Sequence, residues 1–103
     1  MGTHAVIQIE GIKYAEVYKH WDGSPDSTLE WLESFNERFQ EERGTDSQYK
    51  FAQLLRSSIN DAEKFNLDKS LFTGWGVMEG NSSQEEWKYL YILKDDGSVE
   101  VKT

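Results

Sequence analysis

The 103 residues contain no cysteine. That absence removes disulfide frameworks, cysteine-ligated zinc, iron–sulfur clusters and cysteine nucleophiles. It fits a reducing compartment without fixing one. Proline occurs once, at Pro25, and histidine only at His4 and His20. No apolar run approaches the roughly 20 residues that a membrane-spanning helix needs. Residues 1–10 carry no basic region followed by an apolar stretch and a cleavage site, so no signal peptide is expected and a cytoplasmic location is. Basic side chains are also scarce, with 11 Lys and Arg against 19 Asp and Glu and a net charge of −8. Nucleic-acid and anionic-membrane surfaces draw affinity from basic residues, so neither partner is expected. A charge of this sign serves solubility, a cation or a basic protein partner.

What the chain does have is aromatic bulk: four Trp, five Tyr and five Phe. Such side chains each bury on the order of 150–250 Å² and supply much of a core. The length is that of one ordinary domain, and a single domain over residues 1–103 is expected. No internal repeat or low-complexity segment interrupts it.

The patterning gives the order ββααβββ. Ala5 to Lys19 reads as a hairpin of β-formers turning at Glu10-Gly11, with Ala15 and Val17 on one face and Tyr14, Glu16 and Tyr18 on the other. Ser24, Pro25 and Asp26 then form a helix start, and Gly44 forms a stop, which predicts a helix over Pro25–Arg43. Its apolar stripe is Thr28, Leu32, Phe35 and Phe39. Thr45 or Asp46 caps a second helix from Ser47 to about Phe65, with Phe51, Leu54, Leu55, Ile59, Ala62 and Phe65 inward. So short a connection makes the two helices an antiparallel hairpin. Strand patterns follow at 71–77, 86–93 and 99–101, with Gly74 and Gly76 marking a bulge or close approach and residues 95–98 a turn. The expected fold is α+β: a two-layer domain with an antiparallel sheet of about five strands and the helical hairpin packed on one face.

Between the hairpin and the first helix stands Tyr18-Lys19-His20-Trp21-Asp22-Gly23-Ser24-Pro25. His20 titrates near neutral pH, Asp22 can orient it or meet a cation, and Trp21 can stack on a ligand. The competing reading is structural: Asp22-Gly23 turns, Trp21 plugs the core and His20 bonds the backbone. Tyr18-x-His20-Trp21-Asp22-Gly23, closing a hairpin and followed by Pro25 and a helix, resembles a motif of small uncharacterised proteins of archaea and their viruses. Those proteins usually carry a bulky aromatic before the proline, where this chain has Ser24. The resemblance covers Tyr18 to Pro25 with the preceding hairpin. It implies no particular activity and directs attention to the loop.

The first helix carries a second signal. Asp26, Glu30, Glu33, Glu37 and Glu41 recur opposite the apolar stripe, without interleaved lysines. This is a solvated face or a surface for a basic partner. A third signal is the row Trp87, Tyr89 and Tyr91. It reads as core beneath the helices, because a nucleic-acid stacking platform comes with a basic groove. No cofactor or metal is expected: there is no alternating acidic loop, no phosphate-binding glycine loop and no strand–turn–helix nucleophile. The leading expectation is a non-catalytic protein-interaction module. Its candidate binding residues are His20, Trp21, Asp22 and Tyr18 in the loop region and Glu30, Glu33 and Glu37 on the helix, with a basic protein as partner. The alternative is a small-ligand binder or enzyme with His20 and Asp22 in its site. Oligomeric state and biological process are open.

Overall fold

A computed structural model describes residues 4–19, 23–63, 75–79 and 88–102. Strands β1 (Ala5–Ile9) and β2 (Ala15–Lys19) precede helices α1 (Pro25–Arg43) and α2 (Ser47–Glu63), and strands β3 (Trp75–Glu79), β4 (Tyr89–Leu93) and β5 (Val99–Lys102) follow. The five strands form one sheet in the order β3-β2-β1-β4-β5, with the helices on one face. The fold is the expected α+β two-layer arrangement.

One pairing departs from the expected antiparallel sheet. β1 runs parallel to β4, from Ala5 opposite Tyr89 to Ile9 opposite Leu93, whereas the other three pairs are antiparallel. The reason lies in β4 itself. Leu90 on one face and Tyr91 and Leu93 on the other are all buried. A strand apolar on both faces belongs inside a sheet, where parallel neighbours are common. β4 therefore crosses from the β3 edge to the far side of β1 instead of turning tightly back on β3.

α1 has the bounds its punctuation predicts. Pro25 occupies the first turn and the Ser24 carbonyl accepts from the Thr28 N–H at 3.0 Å, although the Ser24 side chain makes no cap bond. Gly44, at φ 67°, closes the helix by donating to the Gln40 carbonyl. Asp46 rather than Thr45 caps α2, its Oδ1 accepting from the Tyr49 N–H at 3.4 Å. The β1–β2 connection is longer than a two-residue turn. Gly11 turns it at φ 95°, and Ile12, 6% exposed, folds back into the core before β2 begins. An apolar side chain there gains more by burial than by extending the strand.

The core lies between the layers, where Ala5, Ile7, Ile9, Val17, Tyr91 and Leu93 from the sheet meet Leu32 and Leu54 from the helices. Tyr91 is fully buried, as the core reading of the aromatic row requires. Polar side chains share this interior, among them Thr28, Asn36 and Lys50. Asn36, on the inward stripe of α1, donates from Nδ2 to the carbonyls of Lys94 and Ser98 at 2.9 and 2.8 Å. It thereby fixes the helix to the β4–β5 turn. Lys50, only 1% exposed, donates from Nζ to Gln40 Oε1 at 2.8 Å. Burial pushes its ammonium pKa down, against the opposing pull of Asp95 and Glu10.

Candidate functional site

Of the sequence-derived candidates the structure describes Tyr18, Glu30, Glu33 and Glu37. His20, Trp21 and Asp22 lie outside the described residues, as do Phe65, Leu71, Phe72, Gly74 and Trp87. Just beyond that loop, Gly23 is buried and its carbonyl accepts the Tyr91 hydroxyl at 2.6 Å. The end of the loop is thus tied to the core. Burial, helped by Tyr89 and partly opposed by Thr28, pushes the Tyr91 hydroxyl up to about 12. Tyr18 sits on the sheet face away from the helices. Its ring crosses Gly76, where any Cβ would collide with it. This is the close approach expected at that glycine, made by a side chain rather than by backbone. Glu16, on the same face, is buried and takes a hydrogen bond from Gln8 Nε2. Glu30, Glu33 and Glu37 are all exposed along α1. They lie on α1, whereas Tyr18 lies on β2, on the sheet face away from the helices.

A different site emerges between the helices. Trp31, Phe35 and Phe39 recur every fourth residue and therefore stack along one flank of α1. Their ring centroids are 6.4 Å apart for Trp31–Phe35 and 6.2 Å for Phe35–Phe39. Tyr49 of α2 continues the row at 6.2 Å from Phe39, and Trp75 of β3 extends it at 5.5 Å from Trp31. The rings of Trp31, Phe35, Phe39 and Tyr49 form the floor of a groove of about 570 Å³ whose walls also include Ser34, Gln53 and Ser57. Around it stand Arg38 and Arg43 from α1 and Arg56 from α2. These are the only three arginines in the chain.

The groove is thus a basic island on an acidic protein, with three guanidinium groups against the lining carboxylate of Glu42 and that of Asp46 beside it. Arg43 lies over the Tyr49 ring at 3.9 Å and bridges Asp46 at 2.9 Å. Arg38 bridges Glu42 at 2.6 Å, with 81% of its side chain exposed. That carboxylate raises the Arg38 pKa through its hydrogen bond and its charge. Arg56 donates to Gln53 Oε1 at 3.4 Å. Exposed pairs of this kind are screened by solvent and contribute little, so an incoming anion can replace them. Guanidinium forks beside aromatic faces suit carboxylate or phosphate groups attached to an apolar body.

The chain matches no protein-family model, no curated protein and no solved structure. The groove therefore has to be read from its own chemistry.

Among the described residues its lining consists of aromatic rings, guanidinium groups, Glu42, Gln53 and two serines, groups suited to binding an anionic and apolar partner. Among the described residues no three His, Asp or Glu side chains converge to hold a metal ion. No described helix is long and apolar enough to cross a membrane. Sequence reasoning missed the groove because the arginines read as minority counter-ions of an acidic helix. The available signal was the fourfold spacing of Trp31, Phe35 and Phe39, offset from the inward stripe of Thr28, Leu32 and Asn36.

Proposed function

We propose that this protein is a non-catalytic interaction module whose recognition surface is the groove between α1 and α2. The observation that carries the proposal is the convergence of all three arginines on an aromatic floor, in a chain of net charge −8. Such a surface selects a partner that is both anionic and apolar. Aromatic and arginine side chains are also the residue types that dominate binding energy at interfaces.

A second reading keeps the basic partner on the acidic face of α1, favoured by the exposure of Glu30, Glu33 and Glu37. The two readings separate in one capture experiment. The parent, an Arg38→Glu/Arg56→Glu variant and a Glu30→Lys/Glu33→Lys/Glu37→Lys variant are each used as bait against lysate of the source organism. Loss of bound partners in the arginine variant alone supports the groove. Loss in the glutamate variant alone overturns it in favour of the acidic face. A site built on His20 and Asp22, with the likeness of Tyr18–Pro25 to the archaeal and viral motif, is the remaining alternative. It predicts that both variants retain everything the parent binds.

A further inference from the structure

We infer that the groove takes an acidic amphipathic helix, a segment with apolar side chains one turn apart and carboxylates on both flanks. This inference rests on the groove being the recognition surface and names its occupant. The first argument is pitch. The three α1 floor rings follow one another at 6.4 and 6.2 Å. Four residues of an α-helix rise about 6 Å, so apolar side chains at i and i+4 of a docked helix fall between successive rings. The second argument is charge. Arg38 and Arg43 stand on the α1 wall and Arg56 on the α2 wall. Carboxylates flanking the apolar stripe on both sides of an incoming helix meet a guanidinium either way.

The third argument is cover. A small-molecule pocket encloses most of its ligand. Here the walls are open, with Tyr49 44% exposed and the Arg38 and Glu42 side chains 81% and 60% exposed. An open trough suits an elongated occupant that brings its own outer surface. A nucleic-acid strand long enough to leave the groove runs onto a protein of net charge −8, which repels it. A short acidic helix ends within the basic island.

The test uses the full chain and fluorescein-labelled synthetic peptides. The acidic probe is a helical peptide with Leu at i, i+4, i+7 and i+11 and Glu at the flanking positions. The controls replace every Glu by Lys, or every Leu by Ser, and ATP serves as a compact aromatic anion. Binding is read by fluorescence polarisation and, for ATP, by competition and calorimetry. The acidic peptide binds, weakens with added salt, and loses about tenfold in affinity with Arg38→Ala or Arg56→Ala, the loss of one charge-assisted contact. Both residues are exposed, and unchanged urea midpoints show that the variants fold. Equal binding of the Lys peptide, or no loss in the Ser peptide, overturns the inference. Arginine-dependent binding of ATP without peptide binding overturns the helix and leaves the groove standing. Binding of neither probe removes both.

Discussion

Replacing Tyr91 by Phe deletes one oxygen from the centre of the fold and leaves the ring in place. That oxygen donates to the Gly23 carbonyl at 2.6 Å, in a site where Tyr91 is fully buried. The variant loses the bond and strands a buried acceptor, which costs about 1–3 kcal/mol. We expect about 2 kcal/mol at pH 7, measured as a shift in the urea midpoint followed by far-UV circular dichroism. The pH dependence carries a sharper test. The hydroxyl titrates near 10 when unfolded and at about 12 in the native protein. The native state therefore holds this proton more tightly, and its contribution is complete below pH 10 and lost as pH rises through 12. A proton held about a hundredfold more tightly corresponds to about 3 kcal/mol. The stability gap between parent and Tyr91→Phe should thus narrow steadily from pH 10 to 12. The other titrating groups are common to both proteins and cancel in the difference. A variant within about 0.5 kcal/mol of the parent at pH 7, inside ordinary surface-substitution noise, would refute the role given to this bond. So would a gap that does not change with pH.

Asn36→Leu removes both bonds to the Lys94 and Ser98 carbonyls and should cost about 1–3 kcal/mol in urea unfolding, the worth of two hydrogen bonds, because each carbonyl keeps a backbone donor, from Gly97 and Lys94 respectively. Gly11→Ala forces a side chain into φ 95° with its Cβ 2.6 Å from Ser47 Oγ; a loss of about 1–3 kcal/mol is expected, and Ser47→Ala should relieve only the contact part. Lys50→Met replaces a buried ammonium whose pKa burial has lowered, and at pH 7 it should change stability by less than about 1.5 kcal/mol, as volume-conserving core swaps do. Because the native state of the parent releases that proton first, Lys50 adds stability as pH rises from its lowered native pKa towards about 10.4. The Met variant should lack this alkaline gain in urea midpoints taken across the range.

α1 was legible because its boundaries are local chemistry: Pro25 can only begin a helix, and Gly44 readily ends one. Alternation grouped Val17 with Ala15 and Tyr91 with Tyr89 on shared strand faces, but it did not say which face of the hairpin meets the helices. The partner of each strand was not legible either, because periodicity carries no information about which apolar strand lies beside which. Asn36 and Lys50 were invisible for a related reason. A polar residue on an apolar stripe reads as a solvent position until the carbonyls or the Gln40 amide that receive it are in place. The groove needs both helices at once: Arg38 and Arg43 meet Arg56 only because α1 and α2 fold back as a hairpin.

The parallel pair at the centre of the sheet also has a consequence for biosynthesis. β1 finds β2 through a short local connection, but its second neighbour is β4, with Ala5 opposite Tyr89. Contacts so distant in sequence form late, because the intervening chain must be ordered first. During translation the Ala5–Ile9 edge, with the sequence AVIQI, waits unpaired until β4 has emerged. An apolar edge strand in that state invites pairing with another nascent chain. The carboxylates of α1, made long before β4, give neighbouring copies a like charge during that interval.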